Sequence, residues 1–193
     1  CSRYDAIRLM LPKNIFRAPK KARKAKAETK KEKTEKVHTL TPEQEAIVNS
    51  LIKDKPAISL LHGITGAGKT EIYKRLIKNF IQEGKQCLLL VPEISLTPQL
   101  LKYFEAAFPK IAVIHSKISD GKKAEIWKFI QSGEINLVIG SRSALFSPFK
   151  NLGLIVMDEE HEWSYKQDQS PRYHARETTL KVAELTGAQV VFG

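Results

Sequence analysis

From residue 40 onward the chain alternates between two hydrophobic patterns. Short, mostly apolar runs at 57–61, 86–91, 111–115, 137–139, 154–157 and 189–192 read as strands covered on both faces. Between them, stretches with apolar residues three or four apart read as helices over 69–82, 98–108, 120–131 and 176–185, and another helix over 42–53 precedes the first strand. The punctuation agrees with this division. Thr41, Thr97 and Ser119 stand where N-caps belong, Pro42 suits a first helical position, and Gly84, Gly133 and Gly187 follow helices where a left-handed stop is usual. Alternating strands and helices predict an α/β fold with a mostly parallel sheet flanked by helices. In such sheets ligands sit beyond the carboxyl ends of the strands.

One of those carboxyl ends carries distinctive chemistry. Gly63, Ile64, Thr65, Gly66, Ala67, Gly68, Lys69 and Thr70 fit the pattern G-x-x-x-x-G-K-[ST] at every fixed position, between the first predicted strand and the next helix. Glycines let the backbone wrap phosphate oxygens with inward N–H groups, and the helix brings its positive dipole end to the same place. The expected ligand is a nucleoside triphosphate, with Lys69 on the β- and γ-phosphates and the Thr70 hydroxyl on Mg²⁺. Gln44 has two readings. It stands three residues after Thr41 and so completes a capping box, and its amide also suits the donor and acceptor of an adenine edge, which would make the nucleotide ATP.

Charge changes the picture at one end only. Of a formal net charge of +11 over 193 residues, +8 falls in residues 13–36, where eleven Lys and Arg face three Glu. Residues 17–36 are nearly devoid of large apolar side chains to offset the entropy of ordering, and 17–38 are read as a basic flexible linker. It serves either as a solvated tether or as a strap along a phosphate backbone. The chain opens on Cys1, and residues 1–16 are too short for a domain, so they are read as the tail of an upstream module, with 39–193 as the globular lobe. The two cysteines, Cys1 and Cys87, suggest neither a disulfide framework nor a metal cluster, which fits a reducing cytoplasm. No run approaches the ~18 apolar residues of a membrane span, and the expectation is a protein without membrane partners.

A phosphate loop needs a carboxylate for the metal and a group to orient the attacking water. The run Leu154-Ile155-Val156-Met157-Asp158-Glu159-Glu160-His161 supplies both about 90 residues downstream, with Asp158 at a strand end for Mg²⁺ and Glu159 beside it as the expected catalytic base.

These residues resemble the Asp-Glu-x-His box of superfamily 2 helicases, and Leu40 to Gln44 resembles the adenine-reading glutamine motif of related helicases. Val91-Pro92-Glu93-Ile94-Ser95-Leu96-Thr97-Pro98-Gln99, Gly140-Ser141-Arg142-Ser143-Ala144-Leu145-Phe146, and Ser164-Tyr165-Lys166-Gln167 with Arg172-Tyr173-His174-Ala175-Arg176 resemble, in that order, the PriA-type primosomal helicases of bacteria. The likeness runs from about residue 40 to the end of the chain and implies a RecA-like P-loop lobe, the first of two motor lobes, stopping before the third helicase motif. By the same likeness, the upstream module would be a winged helix. Ser95, Thr97 and Arg142 would track the backbone of one DNA strand, although Thr97 reads equally as a plain N-cap. Trp163, Tyr165, Lys166, Arg172 and Tyr173 would form an aromatic-rich loop that senses single-stranded DNA by stacking, and His161 would couple it to Glu159.

The resemblance further implies single-stranded and forked DNA, primosome components and single-strand-binding proteins as partners in a bacterial cytoplasm. Zinc is expected only in a part of the family's chain beyond these residues, and so are the arginine fingers of the second lobe. Such fingers are worth ~10³ to 10⁵ in turnover, so this lobe alone is expected to bind ATP and hydrolyse it feebly. Two other readings compete: a duplex-DNA translocase or repair ATPase built on the same lobe, and a basic nucleic-acid-binding module with a regulatory nucleotide site.

Overall fold

The computed structural model describes residues 11–12, 40–64 and 66–193. The expected tail and linker lie outside the described residues except for Leu11 and Pro12, and so does Thr65 of the phosphate loop.

The elements follow in the expected alternation: α1 (Pro42–Asp54), β1 (Ile58–Leu60), α2 (Lys69–Gln82), β2 (Gln86–Leu90), α3 (Pro98–Ala107), β3 (Ile111–Ile114), α4 (Asp120–Ser132), β4 (Leu137–Gly140), β5 (Leu152–Met157), α5 (Ala175–Thr186) and β8 (Gln189–Phe192). Most bounds fall within a residue of the sequence reading; β5 starts two residues early because Leu152 and Gly153 are buried with the strand. Three short 3₁₀ turns, Glu93–Ser95, Arg142–Phe146 and Trp163–Tyr165, lie on the segments after β2, β4 and β5. Residues 163–173, expected as a surface loop, instead continue from the last of these turns into a small antiparallel ribbon, β6 (Lys166–Gln167) with β7 (Tyr173–His174).

The main sheet has six strands in the order β1-β8-β5-β2-β4-β3, every pair parallel. Its apolar runs divide between two faces because successive side chains alternate. Leu89, Val91, Val156 and Val191 pack under α1, α2 and α3 through Leu51, Ile72, Leu76 and Phe104. Leu88, Leu90, Ile155 and Val190 pack under α4 and α5 through Trp127, Ile130 and Ala183, with Tyr165 from the ribbon segment joining them. Cys87 is buried on the first face with a free thiol. The order of the strands matters most for the site. β5 and β2 lie side by side at the centre, so the segments after β5, β2 and β4 emerge together at one edge.

Candidate functional site

The phosphate loop leaves β1 and enters α2. Gly66 and Gly68 both adopt positive φ (+85 and +78), the left-handed conformation that glycine takes without strain, and Gly68 occupies the N-cap of α2 with no side-chain cap of its own. The orphan N–H groups of the helix start are therefore left to face the loop's concave side. α1 is stapled to this loop. Gln44 Oε1 accepts from the Thr41 N–H (3.0 Å) and Thr41 Oγ1 from the Gln44 N–H (3.2 Å), a complete capping box, while Gln44 Nε2 donates to the Ala67 carbonyl (2.9 Å). The capping reading of Gln44 thus holds in the geometry. A side-chain amide has two N–H protons and two lone pairs, so one of each stays available at the edge of the loop.

The carboxylates arrive from β5. Asp158 is anchored in the sheet by its N–H to the Leu90 carbonyl (2.9 Å), and Glu159 follows with φ +48, an uncommon value for a residue with a side chain. Such a backbone costs about 1–3 kcal/mol and is held by its surroundings. Here the Glu160 N–H donates to Gly193 O (2.8 Å) and the Glu162 N–H to Glu159 O (2.9 Å), tying the turn to the end of β8. The turn sends consecutive acids apart. Glu159 Oε1 meets Lys69 Nζ at 3.2 Å, its other oxygen lies 3.7 Å from His161 Nε2, and Glu160 pairs with Arg176 at 3.2 Å. Lys69 and Glu159 are mostly shielded from solvent, with side chains 13% and 28% exposed, so this pair is less screened than a surface one.

Asp158 is held from two sides by tyrosines. Tyr73 of α2 donates its hydroxyl proton to Asp158 Oδ1 (3.0 Å), and Tyr165 donates to the Asp158 main-chain carbonyl (2.7 Å). Burial raises the Asp158 carboxyl above the ordinary range, against the opposing pull of the Tyr73 hydrogen bond and the Lys69 charge. Burial also raises both phenols, so each keeps the proton it donates. Tyr73 was legible in sequence only as one more core position of α2. Its signal was a polar-tipped aromatic one turn after Thr70, and a buried phenol must find a partner.

The residues expected to meet DNA divide into two groups. Ser95 ends the turn after β2, and Thr97 caps α3 by accepting from the Leu100 N–H (3.2 Å), so the capping reading of Thr97 holds in the geometry. A cleft lined by Gly68, Thr70, Thr97 and Gln99 joins that helix start to the phosphate loop. Trp163 is 79% exposed, with Lys166 Nζ 5.4 Å from its ring. Tyr173 packs edge-to-face on Phe146 (5.3 Å), and Arg172 donates through Nε to Asp168 O (3.0 Å).

Two expectations need correction. Tyr165 is 1% exposed and has no face free for a base, because its ring fills the core beneath α5 and its hydroxyl reaches Asp158. Arg142 points inward along the edge: its Nη1 donates to the carbonyls of Ser164 (2.6 Å) and Lys166 (2.7 Å), the residues on either side of Tyr165. Sequence could not signal this, because main-chain carbonyls have no sequence identity.

Lys69, Thr70, Asp158 and Glu159 thus share one end of the sheet. A hydroxyl and carboxylate oxygens suit a hard cation such as Mg²⁺, which takes one or two protein carboxylates beside phosphate oxygens. Among the described residues, no group of three or more His, Cys, Asp or Glu is placed to hold a metal by itself. No helix among them is long and apolar enough to cross a membrane.

Known proteins are similar to this chain in sequence and in fold. The replication restart protein PriA of Bacillus subtilis is 50% identical over 159 residues, 80% of this chain and 20% of that protein. PriA of Chlamydia pneumoniae is 47% identical over 160 residues, and that of Haemophilus influenzae 48% over 135 residues. The chain spans about a fifth of the length of these relatives. Two solved helicases share the fold. The bacteriophage T4 UvsW helicase superposes with a TM-score of 0.55 at 18% identity, over 79% of this chain and 51% of that one. RecG bound to a three-way DNA junction superposes with a TM-score of 0.59 at 24% identity, over 80% of this chain and 21% of that one. The sequence profile of the DEAD/DEAH box helicases matches residues 41–192, from the cap of α1 to the end of β8. With that match spanning the whole sheet, the phosphate loop and the carboxylates after β5, this chain belongs to the DEAD/DEAH box helicase family.

Proposed function

We propose that this chain is the ATP-binding first lobe of an ATP-dependent DNA helicase that moves on single-stranded DNA and acts in restarting replication. The observation that carries the nucleotide half is the approach of Lys69 and Glu159 to 3.2 Å across 90 residues of sequence. On this reading the loop residues Gly63, Ile64, Thr65, Gly66, Ala67 and Gly68 wrap the phosphates and Gln44 borders the adenine. Thr70 and Asp158 hold Mg²⁺, which supplies charge neutralisation on the phosphates. When phosphate oxygens take the Lys69 ammonium, Glu159 is released to accept a proton from the attacking water, with His161 beside it.

The DNA half rests on Trp163. It is a large aromatic left in solvent beside Lys166, which is the combination that stacks on an unpaired base and follows its phosphate. Ser95, Thr97, Arg172 and Tyr173 would follow the backbone of the same strand, with Arg142 holding the segment that carries Trp163 and Lys166 through the Ser164 and Lys166 carbonyls. Restart of replication comes from the names of the relatives; forked DNA, primosome partners and a bacterial cytoplasm are proposed from the resemblance of the motifs to PriA-type helicases. Hydrolysis by this lobe alone is slow on this reading, because no second lobe supplies arginine.

The test uses a two-lobed protein containing this chain. Trp163→Ala should raise the single-stranded DNA concentration giving half-maximal ATPase stimulation about tenfold, the loss of one stacked base. Equal stimulation by duplex and single strands, with Trp163→Ala silent, would replace this reading with a duplex translocase.

A further inference from the structure

We infer that Tyr73 is a positioning residue for Mg²⁺ binding, which it serves by fixing the Asp158 carboxylate from the same helix that carries Thr70. The inference rests on the nucleotide-site reading above and adds a residue to it.

Thr70 and Tyr73 are one turn apart on α2 and so share a face. An ionised carboxylate only accepts hydrogen bonds, and with Oδ1 engaged by Tyr73 at 3.0 Å, the other oxygen is left for the metal's shell. Partners of this outer kind orient a ligand and hold it in one rotamer.

The phenol has nowhere else to go. Tyr73 is 1% exposed, and a Cβ on Gly193 would overlap its hydroxyl oxygen and come within 3.4 Å of Asp158 Oδ1. Gly193 in turn donates its N–H to the Met157 carbonyl (2.9 Å), on the residue before Asp158. The end of β8 therefore closes over the tyrosine and the carboxylate together, while Tyr165 holds the Asp158 carbonyl from the opposite side. One helix thus carries both Thr70 and the hydroxyl that orients the Asp158 carboxylate, which the sheet holds in place.

The experiment titrates Mn²⁺ into this chain in the presence of ADP and follows free Mn²⁺ by electron paramagnetic resonance. Tyr73→Phe should weaken Mn²⁺ binding about tenfold, as loss of an outer-shell partner does. Asp158→Asn should weaken it as well, and the double variant should be no weaker than Asp158→Asn alone, since Tyr73 acts through that carboxylate. Gly193→Ala keeps the hydroxyl but displaces it, and should reproduce the Tyr73→Phe loss. Wild-type affinity in Tyr73→Phe or Gly193→Ala, or additive losses in the double variant, would overturn the assignment of Tyr73 while sparing the site. Wild-type affinity in Asp158→Asn would overturn the site reading and this inference together.

Discussion

Lys69→Ala in a two-lobed protein is expected to lower DNA-stimulated ATP turnover by about 10² to 10³, the usual loss when one preorganised charge is removed from a transferring phosphoryl group. Steady-state hydrolysis at saturating single-stranded DNA measures it. DNA binding, followed by fluorescence anisotropy, should persist, because Trp163, Lys166 and Thr97 stand on other elements than α2. The fold should persist too. The partner that loses its ion pair, Glu159, is 28% exposed and can turn to water, so the melting temperature is expected to move little. Retained hydrolysis would remove the motor reading and leave the basic module with a regulatory nucleotide. Joint loss of ATP turnover and DNA binding would show that the two halves of this edge are not separable.

The largest effect on stability is expected at Gly140, the last residue of β4. Its Cβ would overlap the main-chain oxygen of Ile114 and sit 2.7 Å from the Ala144 Cβ. Neither neighbour is the tip of a flexible side chain. The Ile114 carbonyl accepts from the Ser141 N–H (3.2 Å), and Ala144 is fully buried under the turn that carries Arg142. Gly140→Ala should therefore cost about 3 kcal/mol, at the upper end of overpacking penalties. For a chain of this size that is a fall in melting temperature of roughly 6–12 °C. Thermal unfolding followed by circular dichroism measures it, and an unchanged midpoint would mean that the β4 end can shift. Such a shift would also displace Arg142, whose guanidinium holds the carbonyls of Ser164 and Lys166, so the same variant should disturb DNA-stimulated turnover.

Much of the fold was legible because its signals are local. Thr41, Thr97 and Ser119 each cap a helix through their own side chains, and Gly133 and Gly187 end helices in the left-handed conformation, as their positions implied. Strand runs such as 87–91 are apolar at every position because both sheet faces are covered, and that continuity marked the sheet as parallel before any pairing was known. The ribbon β6–β7 escaped for the opposite reason. Two-residue strands carry no periodicity, and the polar run 166–172 reads as loop.

The candidate site divides along the same line. Gly63 to Thr70 and Asp158 to His161 could be read from types and spacing, because phosphate wrapping and strand-end carboxylates need those residues in that order. Which way Arg142 and Tyr165 point could not. Both looked like DNA contacts, and both turned inward, Tyr165 onto the Asp158 carbonyl and Arg142 onto the carbonyls flanking Tyr165. Nor did sequence single out Tyr73, whose hydroxyl meets a carboxylate 85 residues away.

By itself, then, the sequence determined the class of the fold, the ends of its helices and the chemistry of its phosphate loop, since each is decided by neighbours within a turn or two. The tertiary structure alone decided the order of the strands. That order places β5 between β8 and β2 and so brings Asp158 under Tyr73 and Glu159 onto Lys69. The reason is physical: a buried polar atom goes where a partner exists, and here the partners come from segments that only the sheet brings together.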